Sequence, residues 1–194
     1  MAATTTAALN QPLPKPGRDL AGYASARTLE ALLEGVLALE FLERGFTRNA
    51  AGKAFQAWRA LTGALLALEK DRIVERLERE ERKWLTEKAI PRVPSTRLKA
   101  LGQLLEEAAE LPYYGPLTDK ALDLHDYQYH GPDPDTELSK YRGREEAAKD
   151  IVYILEKLAR IVEERVKPRL EQEGKWTLRH EEALKGLKQK LGLA

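Results

Sequence analysis

The stretch ALDLHDYQYHG, residues 121–131, holds two of the chain's three histidines and two of its seven tyrosines, and runs directly into PDPDTE. Histidine is the side chain whose charge changes near neutral pH, so a histidine beside a carboxylate is a candidate general acid or base. Asp126 and His130 have the i,i+4 spacing that puts two side chains on one helix face, and His125 has the same relation to Tyr129. His125, Asp126, Tyr129 and His130 are therefore the candidate catalytic residues. Zinc is a poorer fit. The two histidines are five apart, which rotates them by roughly 140° on a helix, whereas a helical zinc pair needs i,i+4. The same residues also suit a capped helix end whose His and Tyr tips are half wet, and spacing alone favours that reading.

Such a cluster must be held by its neighbours, and helical periodicity dominates the chain. Leu29, Leu32, Leu33, Val36, Leu39 and Leu42 recur at three- and four-residue steps, predicting a helix over about 25–44 that Gly45 stops. Thr47 is placed to cap the next helix. There Phe55, Trp58, Leu61, Thr62, Leu65 and Leu66 form an apolar face, while Ala50, Ala51, Ala54, Ala57 and Gly63 keep the helix thin enough to be central. Helix resumes over 70–88 with Ile73, Leu77 and Trp84 on a charge-laced surface. PRVPS then breaks the chain, and Ser95 is expected to cap a helix of about 96–111 ending at PYYGP. The cluster lies on a short helix, 117–129, stopped by Gly131, Pro132 and Pro134. A long helix from 139 or 143 to 173 carries Ala147, Ile151, Ile154, Leu155, Leu158 and Val162, with a kink expected at Pro168. Thr177 opens the terminal helix. These readings give a flexible tail at 1–18, a bundle at 19–173 and a helical extension at 174–194.

Composition excludes several functions. With no cysteine there is no disulfide framework, zinc ribbon or thiol nucleophile. Lys+Arg 32 nearly cancels Asp+Glu 31, which argues against whole-molecule capture of nucleic acid but leaves room for a local patch. No apolar stretch reaches the roughly 18 residues of a membrane span, and the N-terminus lacks a signal-peptide pattern, so a cytoplasmic location is expected. One Met and two Asn beside abundant Glu, Arg and Lys fit a protein of high working temperature. GFTRNAAGKAF has a Gly-to-Gly-Lys look without the Walker spacing. No cofactor is implied.

The segment EFLERGFTRNAAGKAFQAWRALTGALLALEKD resembles the paired first helices of archaeal PaREP proteins, with a Gly turn and then a small-residue helix bearing a mid-length Trp. RVPSTRL, and ALDLHDYQYHG ahead of a long last helix, also stand in that family's order; the resemblance spans about residues 25–165. It implies an all-α, antiparallel, HEPN-like bundle of about six to seven helices. HEPN domains commonly dimerise, and many are ribonucleases or partners of nucleotidyltransferases in toxin–antitoxin pairs. HEPN ribonucleases carry an Arg and a His with four to six residues between them. His130 matches the histidine, but the arginine would fall at Asp123, Leu124 or His125, none of which is Arg. Arg142 and Arg144 in the following loop are then the candidate nucleic-acid contacts. Three functions are weighed: a non-catalytic binding or assembly module, the favoured one; a metal-independent ribonuclease using His130; or, apart from the resemblance, a structural or small-ligand-binding helical protein, a ligand then lying near Trp58 and Tyr153. A homodimer is expected, with a nucleotidyltransferase-type protein and RNA or nucleotide as further partners.

Overall fold

A computed structural model describes residues 9–193, so the first eight residues of the expected tail lie outside the described residues. Among the described residues there are helices and loops but no strand, as the composition predicts. The helices are α1 (Leu20–Glu43), α2 (Thr47–Leu68), α3 (Lys70–Glu75), α4 (Arg79–Trp84), α5 (Ile90–Arg92), α6 (Leu98–Ala108), α7 (Tyr114–His130), α8 (Arg144–Ile161), α9 (Lys167–Gln172) and α10 (Leu178–Lys190).

Asp19 starts α1 by accepting the Gly22 N–H at 2.7 Å. Gly45 ends it with φ +81°, and the Phe46 N–H reaches back to the Phe41 carbonyl at 2.9 Å. So short a turn folds α1 and α2 into an antiparallel hairpin. Both helices are rich in small buried residues: Ala31 and Ala38 on α1, and Ala50, Ala51, Ala54 and Ala57 on α2, are all fully buried. α2 is the central helix, packed by α1, α6, α7 and α8.

Four local expectations give way. Thr47 does not cap α2; it is the helix's first residue, and its hydroxyl is hydrogen-bonded to the Tyr127 hydroxyl at 3.0 Å. Ser95 does not cap α6 either, because a 3₁₀ turn over Ser95–Arg97 precedes that helix. The helix over 70–88 divides at Arg76–Glu78, where Glu78 and Glu81 form a capping box that starts α4. The Pro168 kink becomes a π-helical turn, Val162–Val166, joining α8 to α9.

Trp58, Leu65, Ile151, Leu155 and Leu158 share the core, as the sequence predicts. Trp58 stacks on Tyr114 with centroids 4.7 Å apart, and its indole N–H donates to the Thr118 hydroxyl at 3.0 Å. Thr118 in turn donates to the Tyr114 carbonyl at 2.7 Å, while the hydroxyls of Tyr114 and Thr62 meet at 2.9 Å. Every polar atom of this buried group is partnered, which a core of low dielectric requires.

His180, the third histidine, fixes α10 to the bundle. Its Nε2 donates to the Ser25 carbonyl at 2.9 Å, and its Nδ1 accepts from the Thr177 hydroxyl at 2.8 Å. The capping box of α10 thus uses a histidine where Glu or Gln is usual. Burial holds the His180 pKa below its ordinary value, against the Ser25 carbonyl, which favours the charged form.

Two outcomes are expected. Trp58→Ala costs about 3–5 kcal/mol in denaturant unfolding, because it opens a cavity and strips Thr118 of its donor; an unchanged midpoint would remove Trp58 from the core. Neutral in the folded chain and ordinary when unfolded, His180 makes the unfolded state bind more protons between its lowered pKa and about 6.5, so stability falls as pH drops through that window. His125, also lowered by burial, acts in the same direction. Melting temperatures recorded across this range are expected to show a shallower slope for His180→Gln than for wild type.

Candidate functional site

Tyr113 enters α7 with a left-handed backbone (φ +65°), and Gly131 closes the helix at φ +73°, its N–H bonded to the Tyr127 carbonyl at 2.8 Å. Along α7 the face formed by Leu117, Ala121, Leu124 and Tyr127 is buried, so the neighbouring polar positions are left at the rim. His125 lies at that rim. Its ring stacks on Phe55 of α2 at 4.0 Å and meets the edge of Tyr129 at 5.2 Å. The Gln128 amide reaches the His125 Nδ1 at 3.1 Å, and that amide has room only because Gly52 faces it across the helix contact. Burial first, and then the positive charge of Arg59, hold the His125 pKa below its ordinary value despite nearby Asp126. A neutral, stacked imidazole is poorly suited to delivering a proton as a general acid.

The four candidate residues do not converge. His125 and Tyr129 touch, but Tyr129 is exposed, and the ring on which His125 stacks belongs to α2. Asp126 and His130 are both exposed, and no hydrogen bond or ion pair joins them. The helix spacing permits that contact; the side chains, both in water, do not make it. His125 and His130 point apart, as a five-residue separation dictates.

Arg142 and Arg144 are held elsewhere. Arg142 donates through Nε to the Pro134 carbonyl at 3.3 Å, and its backbone N–H bonds Glu146 at 2.8 Å. Arg144 pairs with Glu145 at 3.8 Å and lies over Gly45 of the α1–α2 turn. Ahead of them the loop is shaped by Asp133, whose carboxylate accepts the N–H groups of Leu138 at 2.7 Å and Ser139 at 3.1 Å. Those bonds keep its pKa low.

The cation at this helix end is one the local sequence could not reveal. Arg48, at the start of α2, donates from Nε to the Gln128 carbonyl at 3.0 Å and from a terminal nitrogen to the Tyr129 carbonyl. It thereby satisfies two of the last carbonyls of α7 and sits where the helix dipole is negative. Its contact is with residues 80 and 81 positions away, so no spacing rule finds it. Tyr127 was likewise hidden: buried, hydrogen-bonded to Thr47, and edge-on to Tyr141 at 5.5 Å. Tyr141 donates to the partly exposed Asp150 at 3.0 Å, and Lys120 pairs with the same carboxylate at 2.6 Å.

Other candidate chemistry fails on placement. Lys53, in the Gly-to-Gly-Lys segment, is ion-paired with Glu34 at 2.8 Å. Trp58 is wholly enclosed by packing while Tyr153 stands on the outer surface, so the two share no ligand chamber. Among the described residues no group of three or more His, Asp or Glu could hold a metal, and no helix is long and apolar enough to cross a membrane.

No curated protein and no solved structure matches the chain. A family model does: that of the archaeal PaREP1/PaREP8 family, over residues 26–152. The matched segment begins in α1, takes in the central Trp58 helix and the whole of α7, and ends within α8. The chain therefore belongs to the archaeal PaREP1/PaREP8 family.

Proposed function

We propose that this chain is a HEPN-like bundle acting as a non-catalytic binding or assembly module, one member of a two-protein pair of the toxin–antitoxin type whose other member is a nucleotidyltransferase-type protein. One observation carries the reading: the histidine cluster is arranged as a helix terminus. Arg48, the cation at hand, has its guanidinium bonded to two main-chain carbonyls, and exposed His130 has no group to orient it. Phosphodiester cleavage needs a positioned acid or base together with a cation directed at the developing charge. Here one is unpositioned and the other is occupied. Near-neutral overall charge also supports contact with a protein more than with a polyanion.

The second reading, a metal-independent ribonuclease, draws on the same helix end, since Arg48 and His130 meet the solvent there together. A rotation of the Arg48 side chain would be needed to free the fork for a phosphate. Purified protein incubated with single-stranded RNA, with and without divalent metal, is expected to leave the RNA intact. Cleavage by the wild type that disappears in both His130→Ala and Arg48→Ala would establish the ribonuclease instead. Co-purification of a neighbouring nucleotidyltransferase with the tagged chain is the positive result expected of the first reading.

A further inference from the structure

The outward face of α8 has an internal symmetry of charge. Ala147, Ile151, Ile154, Leu155 and Leu158 turn into the core, which leaves Glu145, Lys149, Val152, Tyr153, Glu156 and Arg160 as one stripe facing away from it. Read along the helix, the stripe runs minus, plus, an apolar pair, minus, plus. From the pair outward, the steps to the inner charges are equal on both sides, as are the steps to the outer ones. Reversing the direction of the helix about a point between Val152 and Tyr153 therefore maps every charge onto its opposite.

We propose that a second copy of this chain docks on this face, α8 against α8 and antiparallel, about a two-fold axis between Val152 and Tyr153. Lys149 then comes level with the partner's Glu156, and Glu145 level with the partner's Arg160, each contact occurring twice, as an isologous interface requires. A parallel pairing would set like charges together, so the pattern selects the orientation.

The local surface fits this occupant. A shallow, open depression of about 400 Å³ lies along α8 beside the end of α1, lined by Leu42, Ala148, Val152 and Tyr153, with Lys149 and Glu156 also on its lining. Ala148 gives room for close approach, so the apolar Val152–Tyr153 pair of each copy would lie over that of the other. The Tyr153 ring is held in place by the ammonium groups of Lys157 and Lys120, at 5.0 and 5.9 Å from its centroid. Lys149 and Glu156 have no ion-pair partner within their own chain among the described residues, so each is available to the other copy. The outer charges are less free: Arg160 is paired with Glu164 at 2.7 Å and Glu145 with Arg144. The inner pair is accordingly the one to test.

Light scattering and sedimentation of the full chain at tens to hundreds of micromolar are expected to give about twice 21.9 kDa, with dissociation promoted by salt. Lys149→Glu or Glu156→Lys alone should weaken association by about tenfold or more, since each places like charges opposite one another twice. The double variant, Lys149→Glu with Glu156→Lys, should restore it. Circular dichroism melts are expected to show all three variants folded. A wild type that stays monomeric over this range overturns the proposal. So does an unchanged mass in both single variants, or a double variant that remains dissociated. None of these results bears on RNA cleavage, so the two readings fail separately.

Discussion

A tryptophan buried in a helix otherwise kept thin by alanine and glycine is the constraint from which the arrangement of this bundle follows. An indole N–H shut away from water must find an acceptor. For Trp58 the available one is the Thr118 hydroxyl, on the helix that also supplies Tyr114 as a stacking surface. Satisfying both contacts fixes the separation of α2 and α7 and their register. α6 is then drawn in as well, because the Thr118 side chain rests where a Cβ on Gly102 would be.

Once that register is set, the rest of the α2–α7 seam closes like an antiparallel ladder. Thr62 meets Tyr114 at one end; Phe55 meets His125 farther along; Gly52 leaves space for Gln128; Thr47 meets Tyr127; and Arg48 meets the last carbonyls. Seen this way, the histidine cluster is the final rung of a packing scheme whose strongest rung is Trp58. His125 is polar because the seam reaches solvent there, and it is neutral because the seam is still partly dry.

Periodic features were legible in the sequence because they are local. The apolar rows of α1, α2 and α8, the Gly45 stop and the Gly131 stop all depend on residues a few positions apart, and each stands where the spacing put it. The features that eluded it depend on residues distant in the chain. Thr47 reads as a cap until Tyr127 arrives to claim its hydroxyl. Asp126 and His130 read as a pair until both are found pointing into water. Arg48 gave no signal at all, since an arginine near a helix start is unremarkable until another helix ends beside it. His180 is the same kind of case: nothing in RHEE announces that its ring bonds Ser25, far back in α1.

The π-helical turn at Val162–Val166 has a bearing on how the chain could have changed through descent. Leu158, Val162, Val166 and Leu170 are four apart, a spacing that drifts around an ordinary α-helix by about 40° at each step. The wider turn cancels that drift and keeps all four side chains buried in one row. Losing a single codon in this segment would tighten the turn and swing everything downstream by roughly 100°, lifting Leu170 from the core and Arg169 from Glu69. The reading frame of the helix, more than the identity of any residue in it, is what this stretch must conserve.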